Sequence, residues 1–154
     1  MKPKICIVQA SYYPDISAKL FKGAVKELKK KCSTPVERKN FLPAQLIVPG
    51  IFEIPVVIAK NVNSYDGFVA LGCVIKGKTP HFEIISKATI NAIMNLSVKF
   101  KIPIGNGIIT CLNKKQALER ADPTKRNKGG EAARAVLSVL GILKDESKWS
   151  SSES

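Results

Sequence analysis

The chain alternates short apolar runs with longer amphipathic segments, and this alternation most constrains its fold. β-Branched apolar runs predict strands, whereas apolar residues that recur every three or four positions predict helices. Strands that alternate with helices pair in parallel, because each connection crosses the sheet through a helix. We therefore expect an α/β fold, a four-stranded parallel sheet with helices on both faces. The predicted strands cover residues 4–9, 46–48, 68–71 and 103–110, and the predicted helices cover 16–31, 51–62, 81–99, 114–121 and 129–143.

The size of the chain fits one domain. Its 154 residues, of which 45% are apolar, are enough for a core without disulfides or metals. We expect the domain to span residues 1–143 and the polar residues 144–154 to form a disordered tail. No apolar stretch reaches the roughly 18 residues of a membrane span, and the start lacks the features of a signal peptide. A cytoplasmic protein without membrane contact is predicted.

The charge of the chain is strongly positive. Its 25 basic and 12 acidic residues give a net charge of +13, which attracts anions. Many lysines fall within residues 19–39, a pattern more typical of a solvated helix face than of a binding surface. The chain has neither a recognition-helix motif nor the aromatic residues of an RNA-binding sheet, so we expect no nucleic-acid partner.

The cysteines do not predict a metal site. Cys6, Cys32, Cys73 and Cys111 form no C-x-x-C pair, and His81 is the single histidine of the sequence. The cysteine and histidine ligands of a zinc site are typically more closely spaced in the sequence than these residues are. We expect reduced thiols and no bound metal.

Ligands of open parallel sheets bind at the carboxyl ends of the strands. This rule selects residues 10–13, 49–53, 72–81 and those from 110 onward. The third segment also satisfies the P-loop spacing G-x-x-x-x-G-K-[ST] over residues 72–79. We expect this match to be coincidental, because Cys73 to Ile75 continue a strand and no apolar run ends in an aspartate that would hold Mg²⁺. The prediction that survives is that the backbone amides of residues 77–79 bind an anion.

Several side chains in these segments allow two interpretations each. His81 follows a central strand, and imidazoles commonly transfer protons in enzymes, so it is either a proton-transfer group or a surface histidine without a role. Glu53 either offsets a helix dipole or holds polyol hydroxyls. Tyr12 and Tyr13 either stack on a flat ring or cover the edge of the core. Arg120 and Lys128 are either anion ligands or solvated cations.

Four blocks of sequence occupy these segments: VPGIFEIP (48–55), ALGCVIKGKTPHFE (70–83), QALERA (116–121) and NKGGEAA (127–133). In this order and spacing they resemble the 6,7-dimethyl-8-ribityllumazine synthase family of riboflavin biosynthesis, from about residue 4 to residue 143. The resemblance implies a flavodoxin-like three-layer sandwich. It also implies a cofactor-free condensation of 5-amino-6-(D-ribitylamino)uracil with 3,4-dihydroxy-2-butanone 4-phosphate, with loss of phosphate and water.

The resemblance assigns roles to residues by their positions in these motifs. Tyr12 matches the aromatic residue that stacks on the pyrimidine, and His81 matches the proton-transfer residue. The other positions that meet the aminouracil and its ribityl chain are Ile51, Phe52, Glu53, Cys73, Val74, Ile75 and Asn106. The positions that bind the butanone phosphate are Lys78, Thr79, Arg120 and Lys128.

The family also implies a homopentamer with each active site between two subunits, in some members assembled into an icosahedral shell. Asn106 and Arg120 would then face the site of the neighbouring subunit. Residues 122–126 lack the glycine-rich run of shell-forming members, which favours a free pentamer. Asn106 stands where many members have an aromatic residue, and Tyr13 replaces a commoner asparagine.

The alternative to an enzyme is a non-catalytic protein that binds flavin or another phosphorylated metabolite on the same fold. Such a protein would tolerate the loss of His81 but would still need Tyr12 and the phosphate-binding cations.

Overall fold

The computed structural model describes residues 3–152, with side chains to residue 143. Four strands and six α-helices follow one another along this part of the chain. A short 3-10 turn, Ile51–Glu53, leads into the third helix. The strands are β1 (Ile5–Ala10), β2 (Ala44–Val48), β3 (Gly67–Ile75) and β4 (Ile104–Cys111), and the helices are α1 (Pro14–Lys29), α2 (Pro35–Asn40), α3 (Ile54–Asn61), α4 (His81–Phe100), α5 (Lys114–Ala121) and α6 (Lys128–Ser152).

The four strands form one parallel sheet in the order β2-β1-β3-β4. Side chains of β3 alternate between two cores, because successive residues of a strand point to opposite faces. Val69 and Leu71 pack with α1, α5 and α6, and Phe68 and Ala70 pack with α3 and α4. The expected flavodoxin-like α/β sandwich is thereby confirmed. None of the described helices is long and apolar enough to cross a membrane.

Burial explains why some strands are easier to recognise than others. All six residues of β1 are buried, since the strand has a neighbour on each side and helices on both faces. Strand β2 lies at the edge of the sheet, and the burial of its side chains alternates. Strand β3 extends to Ile75, beyond the predicted end at residue 71, because its last residues pair with β4 as far as Cys111.

Two predicted segments differ from the structure. The connection predicted at residues 32–44 contains α2, whose first turn is capped by Thr34 Oγ1 accepting from Glu37 N at 3.1 Å. Pro35 occupies the first turn of that helix, where a missing N–H costs little. The single helix predicted at 51–62 begins as a 3-10 turn, because Ile54 N–H donates to the carbonyl of Ile51.

The end of the last helix differs from the predicted boundary. Helix α6 reaches Ser152 instead of ending at residue 143. The side chains of residues 144–152, and residues 153–154 entirely, lie outside the described part. The domain boundary at residue 143 and the disordered tail therefore stay predictions.

Helices α1 and α6 pack closely, which fixes the start of α6 against the middle of α1. A Cβ atom on Gly129 would collide with the backbone carbonyl of Leu20 in α1. Glu27 of α1 lies among buried side chains, yet its carboxylate accepts hydrogen bonds from Lys30 Nζ at 3.0 Å and Arg134 Nη1 at 2.9 Å. Burial opposes ionisation of this carboxyl, but the two cations outweigh it and lower the pKa of Glu27.

We expect Gly129→Ala to lower the free energy of unfolding by about 1–3 kcal/mol, because the added methyl group overpacks the contact with Leu20. Gly141→Ala is the matched control, since a Cβ at this position of the same helix meets nothing within 4 Å. There we expect a gain of up to about 1 kcal/mol from helix propensity. Urea unfolding midpoints measure both, and equal effects of the two substitutions would contradict the close helix contact.

Candidate functional site

A cavity of about 310 Å³ lies at the carboxyl ends of β1, β2 and β3 and against the start of α4. This is the edge of the sheet that the sequence selects. Eight of the residues to which the resemblance gives a role line the cavity: Tyr12, Ile51, Phe52, Cys73, Val74, Ile75, Thr79 and His81.

The segment after β1 forms an aromatic wall of the cavity. It is tied to the end of β2, because Ser11 N–H donates to the carbonyl of Val48 at 2.9 Å. Tyr12 is 73% exposed, whereas Tyr13 is half-buried. Their ring centroids lie 4.9 Å apart with an interplanar angle of 76°. The wall thus offers an aromatic face to a flat ligand.

The turn after β2 supplies a second wall. Ile51 is buried and Phe52 is exposed, so only the second side chain projects freely beside the cavity. Glu53 is half-buried and does not line the cavity, but one of its oxygens, Oε1, accepts from Gly50 N at 3.0 Å. A carboxylate has further acceptor capacity beyond one such bond. The structure therefore gives Glu53 a capping role and leaves its predicted contact with polyol hydroxyls open.

The end of β3 forms the floor. The thiol of Cys73 is buried, and burial together with the neighbouring Cys111 raises its pKa to about 12. The thiol therefore stays protonated at neutral pH and is a poor nucleophile. Pairing with β4 continues past the strand, where Lys76 N–H donates to the carbonyl of Cys111 at 2.8 Å. These backbone hydrogen bonds hold the floor of the cavity in place as far as Lys76, where the loop to α4 begins.

The loop between β3 and α4 supplies the polar end of the cavity. Gly77 and Thr79 line the cavity, and Lys78 lines a shallower hollow of about 220 Å³ beside it. His81 is the first residue of α4, and its exposed imidazole lies on the cavity wall. The first N–H groups of a helix have no partner within that helix and attract anions. This end of the site can therefore hold a phosphate next to an imidazole.

Three residues with predicted roles lie away from the cavity of the same chain. Asn106 is exposed on β4, and its Oδ1 accepts from Ile108 N at 3.1 Å. Arg120 Nη1 donates to the carbonyl of Thr110 at 2.8 Å. Lys128 Nζ forms an ion pair with Glu131 at 3.1 Å. The described chain thus brings together most of the predicted ring-binding residues, but neither Asn106 nor these two cations lines the cavity.

Several lining residues had no predicted role. Phe82 and Ile85 follow His81 on α4, and Ile85 is one helical turn further on, so helical spacing could have identified it. Tyr13, for which the sequence allows ring stacking or covering of the core edge, lines the cavity and also packs against the core. Within the described side chains, no group of three or more histidine, cysteine, aspartate or glutamate residues could hold a metal.

Known proteins resemble this chain over nearly its whole length. The family model described as 6,7-dimethyl-8-ribityllumazine synthase matches residues 2–144. The 6,7-dimethyl-8-ribityllumazine synthase of Bartonella tribocorum is 45% identical over 146 residues, which cover 93% of this chain and 91% of that protein. The 6,7-dimethyl-8-ribityllumazine synthase 1 of Rhodopseudomonas palustris is 45% identical over 90% of this chain and 85% of its own. The synthase of Agrobacterium fabrum is 40% identical over 93% of this chain and 96% of its own.

The capping role of Glu53 can be separated from its charge. Glu53→Ala removes the acceptor of Gly50 N–H, so we expect the free energy of unfolding to fall by about 1 kcal/mol. Glu53→Gln keeps an oxygen acceptor and should unfold at nearly the wild-type urea concentration. An equal loss in both variants would show that the charge, and not the hydrogen bond, stabilises this turn.

Proposed function

The chain belongs to the 6,7-dimethyl-8-ribityllumazine synthase family, and from this premise we propose that the cavity at the strand ends is one half of its active site. The protein is a transferase of riboflavin biosynthesis. It condenses 5-amino-6-(D-ribitylamino)uracil with 3,4-dihydroxy-2-butanone 4-phosphate to 6,7-dimethyl-8-ribityllumazine. The observation that best supports the location is the convergence of Tyr12, Thr79 and His81 on one cavity.

The proposed aminouracil site uses the apolar and aromatic part of the cavity. Tyr12 stacks on the pyrimidine, and the main chain of residues 73–75 reads the edge of the base. Phe52 and Ile51 cover the start of the ribityl chain, whose hydroxyls donate to Glu53. The support is geometric, since all of these groups except Glu53 line the cavity, come from three adjacent strand ends and surround one space large enough for a flat ring.

The proposed phosphate site lies at the start of α4. Amides of residues 77–79 and the ammonium of Lys78 face the departing phosphate, and Arg120 of a neighbouring copy adds a guanidinium. Charge-assisted hydrogen bonds of this kind stabilise a phosphate as its negative charge increases. Lys128, at the start of α6, contributes a further positive charge from the same neighbour.

The chemistry needs proton transfer and close positioning. The amine of the aminouracil attacks the ketone of the butanone phosphate, and the carbinolamine loses water to give an imine. Abstraction of the proton on the carbon next to the imine expels inorganic phosphate and leaves an enol, which tautomerises to a ketone. The ribitylamino nitrogen attacks this ketone, and loss of water closes the ring. His81 accepts the proton in the elimination and returns one to the hydroxyl that leaves. Much of the acceleration comes from holding both substrates together, since the amine is itself a competent nucleophile.

We also propose that the active form is a homopentamer, and that it is free and not assembled into a shell. Asn106, Arg120 and Lys128 do not line the cavity of their own chain, as expected of residues that complete a neighbour's site. An apolar groove between α3 and α4, lined by Val56, Ala59, Ala92 and Leu96 among others, offers a surface for the neighbouring copy.

The cellular location is likewise a proposal. All four cysteines, at positions 6, 32, 73 and 111, are free and buried, which is typical of the reducing cytoplasm. The family and the names of the relatives support the enzyme over the non-catalytic flavin-binding alternative.

We expect His81→Ala to lower kcat by about 100-fold without abolishing turnover, because positioning survives the loss of the proton-transfer group. Appearance of lumazine absorbance, corrected for the spontaneous reaction, measures the rate. Lys87→Ala is the control, since Lys87 is exposed on the same helix and does not line the cavity. Unchanged turnover in His81→Ala would remove His81 from the mechanism.

We expect Arg120→Ala to raise KM for the butanone phosphate by about 10- to 100-fold, as one charge-assisted contact would, and to leave KM for the aminouracil unchanged. Lys115→Ala on the same helix is the control. An effect on the aminouracil KM alone would contradict the assignment.

Mixed oligomers test whether Arg120 acts across a subunit boundary. We would co-express the Arg120→Ala chain with a Tyr12→Ala/His81→Ala chain, each of which lacks one half of the site. Random assembly at equal amounts restores about one quarter of the sites if each site joins two subunits. If the co-expressed protein is no more active than the two variants measured separately and added together, the site is not shared between subunits.

A further inference from the structure

Two aromatic rings at the end of β1 differ in how firmly they are held. Tyr12 is 73% exposed, whereas Tyr13 is half-buried and packs against the hydrophobic core between the sheet, α1 and α6. The rings meet edge to face, with centroids 4.9 Å apart and an interplanar angle of 76°. This is one of the favourable arrangements for an aromatic pair. Tyr13 therefore links the exposed Tyr12 ring to the hydrophobic core.

The backbone fixes the direction of the Tyr13 side chain. Tyr13 precedes Pro14 and has an extended conformation, with φ −113° and ψ 90°. The ring of the following proline excludes helical backbone angles at such a residue. The carbonyl of Tyr13 accepts from Ser17 N at 2.9 Å, and the Ser17 hydroxyl accepts from Gln9 Nε2 at 2.6 Å. Helix α1 thus holds the backbone of Tyr13 through Ser17, and β1 is bonded to the same serine.

Tyr12 has few restraints apart from this ring contact. An exposed side chain samples several rotamers, and fixing one of them on ligand binding costs conformational entropy. A neighbouring ring that already selects the stacking rotamer lowers that cost. The free chain would then present the Tyr12 face to the cavity before any ligand arrives.

We propose that Tyr13 is a positioning residue that holds the Tyr12 ring in the orientation needed to stack on a flat heterocycle. The inference rests on the proposed function, because the heterocycle is the pyrimidine of the aminouracil or the ring system of the lumazine product. Tyr13 also lines the cavity, but in this role it acts through the Tyr12 ring and not through its own contact with the ligand. Its contribution therefore depends on the presence of the Tyr12 ring.

The first experiment measures the affinity for 6,7-dimethyl-8-ribityllumazine by fluorescence titration, alongside steady-state kinetics. We expect Tyr13→Leu to raise the Kd of the lumazine and the KM of the aminouracil by about 3- to 10-fold, the range of one aromatic pair. The KM of the butanone phosphate and kcat should stay at the wild-type values. Tyr13→Phe keeps the ring and should restore the wild-type Kd.

A double-mutant cycle shows whether Tyr13 acts through Tyr12. Tyr13→Leu should add nothing to the Kd of the lumazine when Tyr12 is already alanine. The same fold-change in both backgrounds, or no change in either, would overturn the proposal. Tyr65→Leu is the matched control, because Tyr65 forms a similar edge-to-face pair with Phe68 at 5.6 Å and does not line the cavity. It should lower stability and leave the Kd unchanged.

A measurement on the wild-type protein keeps the proposal testable if Tyr13→Leu does not fold. The chain has three tyrosines, so selective ring labelling resolves Tyr12 and Tyr13 by NMR. Magnetisation transfer between their ring protons in the free protein is expected, and its absence would overturn the proposal. Failure of the wild type to form lumazine from its two substrates would instead overturn the proposed function.

Discussion

Parallel pairing of β3 with β1 on one side and β4 on the other is the constraint on which the site depends. The middle of β3 is completely buried, so its backbone groups must be satisfied by neighbouring strands, and the register of the sheet follows from that need. Once the strands are parallel, their carboxyl ends lie at one edge. Tyr12, Ile51 and His81, which are distant in sequence, therefore surround the same cavity. The position of the cavity is therefore determined by the sheet more than by any single loop.

The sequence was most informative where burial was most complete. The apolar runs at 4–9 and 68–71 predicted β1 and β3 because both are covered on two faces. The strand-like residues 73–75 already indicated that β3 continues beyond residue 71, and pairing with β4 carries it to Ile75. Helix α2 was missed because none of its residues is buried, so it has no apolar periodicity, and only Thr34 and Pro35 signal its start. The position of His81 in its motif was enough to predict it at the site. Ile85, in contrast, could have been found only from helical spacing.

The cations show why one chain accounts for only part of the proposed site. Arg120 is held by the carbonyl of Thr110, and Lys128 by Glu131, so each has a partner within its own chain. A carbonyl leaves part of the guanidinium free to bind an anion, because arginine has five donors in a fixed plane. The close contact of Gly129 with α1 fixes where α6 begins and hence where Lys128 lies. The packing of α6 against α1 therefore determines the position of the Lys128 ammonium.

The central claim is that the cavity of one copy and the Arg120 of the next hold a single pair of reactants. The most direct test is a cryo-electron microscopy structure of the full-length protein with 6,7-dimethyl-8-ribityllumazine and inorganic phosphate bound. The account predicts the lumazine ring on Tyr12 beside His81 of one copy, with the phosphate in contact with Arg120 of its neighbour. A lumazine bound away from Tyr12, or a phosphate with no contact to any Arg120, would contradict it.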